Sequence, residues 1–428
     1  MYDLAIIGAG WAGYNAAIKA KELGLKTCLI ENSQTGGTCL NLGCIPTKTL
    51  IQSAKIYSLI KKSANFGVEI SEPKFNLQIA QERKAKIIQQ LRSGMQGALN
   101  GVDFIQGQAK LITKEELECD GKKILAKSII IATGSRPFEL EQFKFDGKKI
   151  ISSDEALELK EVPKKLLIIG GGVIGCEFAS LFHALGSQVT IVEKMPQLLP
   201  GLDSEIAKKI ELIFKKKKIT VNTGAGAEGL NQSDFDLTLV CVGRIPNTKG
   251  LNLEGLGVIL NQGKVAVNDF LQTNIINIFA AGDCTGKLML AHYAAYQGEI
   301  AAQNAVNPAA MKKADNAVVP SCIFSDPEIA CVGLSEDEAK NKGTDIKINK
   351  FDFLGSGMAR IIDEAEGFIK VISDAKSGCL LGASIIGPKA TELISVFGLA
   401  ISNKLTSEQI KSTIFAHPSL SESIHQVF

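Results

Sequence analysis

Residues 36–46 read GGTCLNLGCIP and place two thiols, Cys39 and Cys44, five positions apart in a run of Gly, Thr and Asn. Such a pair can bind a metal, staple a loop or carry electrons. Metal binding needs a second Cys/His pair at ligand spacing, and none accompanies this one, so no metal is expected. A purely structural disulfide belongs to oxidising compartments. The chain's ten cysteines are scattered, and most resemble Cys28 in KTCLIE and Cys241 in LVCVG, thiols packed as small hydrophobes in apolar strand-like runs. A redox dithiol fits best. In a regular helix residues five apart lie about 8 Å from each other between Cα atoms, whereas a disulfide needs roughly 4.4–6.8 Å. The backbone must therefore leave helical geometry between the two cysteines, and Gly43 is the residue that permits it. Lys48, just beyond Pro46, can support a negative charge on a nearby sulfur.

The segment that precedes the pair is built to hold phosphates. YDLAIIGAGWAGYNAAIKAKELG contains an apolar run, then Gly8-x-Gly10-x-x-Gly13, then small and apolar residues at helical spacing; the next apolar run ends in Glu31. The first glycine permits a tight turn, the second lets a pyrophosphate approach the backbone, and the third lets helix and strand pack closely. Phosphates then meet the free N–H groups of a helix start, and Glu31 is placed for a ribose. The unit recurs in KKLLIIGGGVIGCEFASLFHALGSQVTIVEK with every element displaced by 162: Gly8 to Gly170, Gly10 to Gly172, Gly13 to Gly175, Glu31 to Glu193. One such glycine pattern is weak evidence, but two in full strand–helix–strand context predict two bound dinucleotides.

Three more glycine turns, with Gly134, Gly243 and Gly282, each follow an apolar run and mark the carboxyl edge of a sheet, where open α/β sheets bind ligands. Asp283 follows the last of them. A hydrogen bond to a cofactor polyol or ribose is favoured for it over capping of the helix near Leu290. NAD is expected in the second unit, because Glu193 stands where a 2′-phosphate would need arginine, and KMPQLLPG beyond it holds none. Passing a nicotinamide hydride to sulfur needs an organic relay, which places FAD in the first unit beside the dithiol.

The elements that must position these groups fall into an ordinary globular chain. It has 428 residues, 45% hydrophobic and 21% charged, with 47 Lys plus Arg against 45 Asp plus Glu. That balance gives no reason to expect nucleic acid or an anionic membrane as partner. No apolar run approaches the ~20 residues of a membrane span, and a strand starting at Tyr2 leaves no room for a signal or transit peptide; a cytoplasmic protein is expected. The basic run Lys215–Lys218 reads as a solvated helix end. The organisation predicted is α/β: two Rossmann-like dinucleotide-binding domains plus a C-terminal α/β dimerisation domain. FAD binding takes 1–145, NAD binding 146–245, a central segment 246–315 returns to the flavin, and 317–428 dimerises. In the last domain strands are expected at 318–324, 368–373 and 379–387, with a helix at 391–403.

Taken together, GGTCLNLGCIPTK, the two dinucleotide units, AAGDCTG (280–286), FSDPEIACVG (324–333) and FAHPSLSES (415–423) closely resemble the pyridine nucleotide–disulfide oxidoreductases from Tyr2 to nearly Phe428. The resemblance implies that Cys39 exchanges with the substrate and that Cys44 lies next to the flavin. It implies that Lys48 and Glu177 pair beside the flavin's reactive edge and that Val173 gates the nicotinamide pocket. Gly37 and Thr38 join the flavin cradle, and Asp283 meets the flavin ribityl or phosphate region. His292 lies just beyond that region, and His183 and His425 match no role. His417 and Glu422 imply an acid–base pair lent across a homodimer, with the carboxylate fixing the imidazole tautomer. One region departs from the family: ITVNTGAGAEGLNQSDFDLTLVCVG is short and glycine-rich, and the NAD domain is expected to lack a meander of strands. Members that reduce mercuric ion or thioredoxin need C-terminal cysteines, and none follows Cys379. Protein-bound dihydrolipoamide, on lipoyl domains of a 2-oxoacid dehydrogenase or glycine cleavage complex, is the expected substrate. Another small disulfide, or a chiefly structural role in such a complex, is the alternative.

Overall fold

The computed structural model describes residues 1–428. The chain folds into two units. The first collects 1–50, 78–138 and 243–316; the second collects 51–77, 139–242 and 317–428.

In the first unit, β1 (Tyr2–Ile7) and β2 (Thr27–Glu31) are joined by α1 (Trp11–Glu22) and pair in parallel. Leu4, Ile6, Leu29 and Ile30 lose all exposure, as near-continuous apolar runs must when a sheet is covered on both faces. The sheet runs in the order 103–106, β2, β1, 122–131, 116–119, 109–113, and the strand Ile278–Ala280 adds in parallel to the far side of 122–131. Strand 278–280 lies far along the chain but belongs beside residues 129–131, with which it is in register. Alanines of α1 (Ala16, Ala17, Ala20) give it a thin buried face, so the helix Ala291–Val306 packs closely on it. Beyond β2 come α2 (Gly37–Leu42) and α3 (Cys44–Lys61), separated by Gly43 alone.

The second unit contains a five-stranded, wholly parallel sheet in the order 220–223, 188–193, 165–169, 237–240, 150–151. Between residues 223 and 237 there is only one short 3₁₀ turn, Gln232–Asp234, and an open recess of about 600 Å³ lies beside it, lined by Val192, Val221, Thr223 and Leu230. The same unit holds an antiparallel sheet ordered 321–323, 328–333, 380–387, 368–374, 346–352, with the helix Ala390–Ser402 against it. The first strand is shorter than expected, starting after Pro320, which has no N–H for a ladder. Strands Glu328–Gly333 and Ile346–Asp352 were not anticipated as strands.

Lys370 ties the unit together. Its side chain is 2% exposed, and its ammonium bonds Asp203 at 2.9 Å and Glu336 at 2.5 Å. Asp203 also caps the helix Ser204–Lys216 through Glu205 N–H. Charged groups this deep are tolerated only when paired. At the end of that helix Lys215 reaches back to Glu211 and is exposed, and Lys217 pairs with Asp326.

Candidate active site

The sequence repeat is reproduced atom for atom in hydrogen bonding. Glu31 accepts from Ala9 N–H at 2.6 Å and Ser33 N–H at 2.8 Å; Glu193 accepts from Gly171 N–H and Met195 N–H, both at 2.7 Å. Each partner is again displaced by 162, and helix Val173–Ala184 repeats α1 with the same displacement. Gly8 and Gly170 sit at φ +102° and +109°, where a side chain would strain the turn. A Cβ on Gly13 would fall 1.7 Å from the Gly8 carbonyl oxygen, and one on Gly175 would fall 2.0 Å from that of Gly170. These are the close helix–strand approaches that the third glycine was expected to serve.

The middle glycines behave differently. A Cβ on Gly10 would meet only Gly37 Cα, at 3.8 Å, and one on Gly172 would meet nothing within 4 Å. Space is therefore kept open on the outer side of both turns, at the N-terminus of a helix in each case. A dinucleotide pyrophosphate fits that space and that polarity. Val173, first residue of the second helix, is 40% exposed there.

Cys39 and Cys44 are brought together by the break between α2 and α3. Gly43 takes φ −143°, ψ −113°, far from helical values, and packs so closely that a Cβ would lie 3.0 Å from Thr38 O and 3.3 Å from Cys39 Cα. Pro46 falls in the first turn of α3, where its missing N–H costs nothing. The two cysteines stand as thiols within hydrogen-bonding reach of each other. The hydrogen bond with Cys44 holds the Cys39 thiol far above its ordinary value; burial and negative charge on Cys44 add to this, and Trp11 and Lys48 oppose it. The pair thus shares protons: one sulfur can become a thiolate while Cys39 keeps its hydrogen.

The floor of the site is set by the start of α2. Gly36 N–H donates to Ala9 O at 2.8 Å, and a Cβ on Gly37 would come 2.7 Å from Gly10 Cα. Gly37 therefore lies against the first glycine turn, with Thr38 next to it in the chain and packed on Gly43. Asp283 lies in the short turn Gly282–Thr285 and accepts the Ser135 hydroxyl at 2.6 Å. It caps nothing: the helix from Ala291 begins after Leu290 without a side-chain cap. Arg244 holds Ser135 through its hydroxyl and its carbonyl, both at 2.8 Å. Gly134 and Gly243, both at positive φ, begin the segments that carry these two residues. Ser135 and Arg244 directly follow the turn glycines Gly134 and Gly243, but nothing in their spacing singles them out, because they meet only through the pairing of 135–137 with 244–246.

In the second unit Glu177 is 3% exposed, and its carboxylate accepts Phe324 N–H at 2.9 Å. At the other end of that unit His417 Nδ1 lies 2.8 Å from Glu422 Oε1, and Glu422 Oε2 accepts Ser419 N–H at 2.9 Å. Ser419 N–H first, and His417 second, hold the Glu422 carboxyl below its usual value. The His417 side chain is 80% exposed. His183 is half buried, with burial lowering its pKa, and His292 and His425 are exposed. No helix is long and apolar enough to cross a membrane.

Residues 2–298 match the family "Pyridine nucleotide-disulphide oxidoreductase", and 319–428 match its dimerisation domain. The chain is 38% identical to dihydrolipoyl dehydrogenase of Bacillus subtilis, over 99% of this chain and 96% of that protein. It is 41% identical to dihydrolipoyl dehydrogenase of Chlamydia muridarum, over 98% and 95%. Among solved structures it superposes on the HOCl-induced flavoprotein disulfide reductase RclA of Escherichia coli with TM-score 0.89 at 30% identity, covering 100% of this chain and 99% of that one. On LpdA of Mycobacterium tuberculosis the TM-score is 0.92 at 28% identity, covering 99% and 98%.

Proposed function

The chain belongs to the pyridine nucleotide-disulphide oxidoreductase family, and from that premise we propose that it oxidises protein-bound dihydrolipoamide with NAD⁺ through Cys39 and Cys44. Its cofactors are FAD and NAD, as in the family. Bound FAD supplies the two-electron relay between sulfur and nicotinamide. Gly8, Gly10, Gly13, Glu31, Gly37, Thr38, Gly134 and Asp283 would hold it; Gly170, Gly172, Val173, Gly175, Glu193 and Gly243 would hold NAD.

The observation that carries this reading is the thiol pair, seated at the Gly43 break and following a helix start, Gly37, that packs against the first dinucleotide turn. A substrate thiolate attacks Cys39, the Cys39–Cys44 bond breaks, and Cys44 leaves as the thiolate. The second substrate thiolate then displaces Cys39, and the oxidised substrate departs. Lys48, whose positive charge acts on this site, favours negative sulfur, and Glu177 is its proposed counter-charge. His417 takes the substrate protons, with Glu422 fixing the tautomer that leaves Nε2 free. An imidazole this exposed in the dimerisation domain suits service to a second subunit, so we assign the working site to a homodimer. The partners proposed are lipoyl domains of a 2-oxoacid dehydrogenase or glycine cleavage complex, in the cytoplasm. Steady-state assay with dihydrolipoamide and NAD⁺, set against NADPH-driven reduction of small disulfides, tests the substrate: turnover with the second only would replace lipoamide by another disulfide.

A further inference from the structure

We propose that the indole N–H of Trp11 donates a hydrogen bond to the Cys39 sulfur when that sulfur carries negative charge, making Trp11 a positioning residue for the exchanging thiol. This rests on reading Cys39 and Cys44 as a redox pair. Trp11 is the only tryptophan of the chain and the first residue of α1. The glycine turn before it is clamped to the start of α2 by the Gly36–Ala9 hydrogen bond and by the approach of Gly37 to Gly10. Cys39 is the third residue of α2. Two backbone segments held that closely deliver the indole and the thiol to one place. An edge-on contact with Tyr14, 6.5 Å between ring centres and 80° between planes, fixes the ring.

The indole Nε1 is fully buried and makes no well-formed hydrogen bond, although the Cys39 sulfur is within its reach. Buried donors without partners are rare and costly, so this one calls for an acceptor that appears in another state of the protein. A neutral thiol accepts weakly; a thiolate accepts strongly. Of the groups facing Cys39, Trp11 and Lys48 favour its thiolate and Cys44 opposes it. The fold does not require an indole here. The corresponding residue of the second repeat, at the same displacement of 162, is Val173, which has no polar side-chain atom and starts an equivalent helix.

The donor acts where Cys39 is the leaving group. When the second substrate thiolate attacks the substrate sulfur bonded to Cys39, the intramolecular S–S bond of the product forms and the substrate–Cys39 bond breaks. The electron pair goes to Cys39, and the proton taken from the substrate thiol returns to it through the acid–base pair. A thiolate made less basic by the indole leaves faster. In the reverse direction the same bond favours the ionised form of Cys39 that attacks, against the opposing influence of Cys44.

The test uses the FAD-loaded dimer with Trp11→Phe and, separately, with β-(3-benzothienyl)alanine replacing the single tryptophan. The second removes the N–H and keeps the shape, so it stands if the first fails to fold. After anaerobic reduction by dihydrolipoamide, iodoacetamide alkylation of Cys39 is followed against pH by peptide mass spectrometry. Both replacements should move the alkylation midpoint up by about one pH unit, lowering the rate below the midpoint about tenfold, with flavin content unchanged. An unmoved midpoint overturns the proposal, and an unmoved midpoint with loss of FAD assigns the indole to the dinucleotide phosphates instead. Equal alkylation of Cys39 in the parent before and after reduction would defeat the redox reading itself, a result independent of Trp11.

Discussion

The two middle glycines offer a substitution that should leave stability nearly unchanged while weakening binding. Gly10 and Gly172 both have extended backbone, φ −72°, ψ −173° and φ −76°, ψ −167°, which alanine adopts without strain. The added methyl meets no atom closer than 3.8 Å in the first turn and none within 4 Å in the second. Two small terms remain. Alanine is a poorer helix N-cap than glycine, by about 0.5–1 kcal/mol, and it narrows the unfolded ensemble by about 0.4–1 kcal/mol. They nearly cancel, so the cofactor-free protein should change by less than about 1 kcal/mol, a few degrees at most in thermal midpoint. Binding behaves otherwise, because the methyl occupies the space through which a pyrophosphate reaches the N–H groups. Loss of one hydrogen bond to a charged group removes about 1.5–3 kcal/mol, which weakens the dinucleotide roughly ten- to a hundredfold. The loss should also be selective. Gly10→Ala should release FAD while NADH still binds; Gly172→Ala should keep FAD and raise KM for NADH. Gly13→Ala is the control, since its Cβ would collide with Gly8 O at 1.7 Å and should unfold the unit. Calorimetric titration of both dinucleotides, with melting of the stripped proteins, reads all of this. Gly10→Ala binding FAD as the parent does, or destabilising the stripped protein as Gly13→Ala does, would refute this role for the middle glycine.

Further expectations follow from the other groups. Cys44→Ser should abolish dihydrolipoamide turnover with FAD still bound and NADH still reducing an artificial acceptor. His417→Gln should cut dihydrolipoamide turnover by about 10²–10⁴, the usual worth of a positioned base, and leave that artificial-acceptor reaction intact; an equal loss in both would remove His417 from the thiol step. Lys370→Met leaves the Asp203 carboxylate buried without its cationic partner and should cost about 3–5 kcal/mol, seen as early melting in urea. Glu336 is held below its ordinary carboxylate value by Lys340 and Lys370. A lowered folded-state pKa means stability present above the ordinary value of 4.5 and lost as pH falls below it. Urea midpoints should therefore drop below pH 4.5, and less so in Glu336→Gln.

The doubled dinucleotide unit was legible because its signals are local: glycines at fixed spacing, an apolar strand before them and an acid after. The Gly43 break was legible for the same reason, since helix geometry alone forbids the two sulfurs from meeting. The missed elements depend on distant partners. Strand Ile346–Asp352 reads IKINKFD, with lysines between its apolar residues, and becomes a strand by pairing with 368–374. Strand Glu328–Gly333 was hidden by its position just after Pro327, and it is held between 321–323 and 380–387. The Lys370 cluster joins residues 203, 336 and 370, and no spacing rule connects them. Trp11 sits inside the glycine pattern with no spacing that ties it to Cys39; the approach of Gly37 to Gly10 brings their two segments together.

In the proposed reaction electrons cross between substrate sulfur and nicotinamide through Cys39 and Cys44. Anaerobic titration of the purified FAD-loaded protein with dihydrolipoamide, and separately with NADH, followed in the visible spectrum, tests it most directly. Both reductants should raise the same long-wavelength band, from a Cys44 thiolate lying beside oxidised flavin, and Cys44→Ser should lack it. A band raised by NADH but not by dihydrolipoamide would contradict the lipoamide assignment, and no band with either would contradict the dithiol relay.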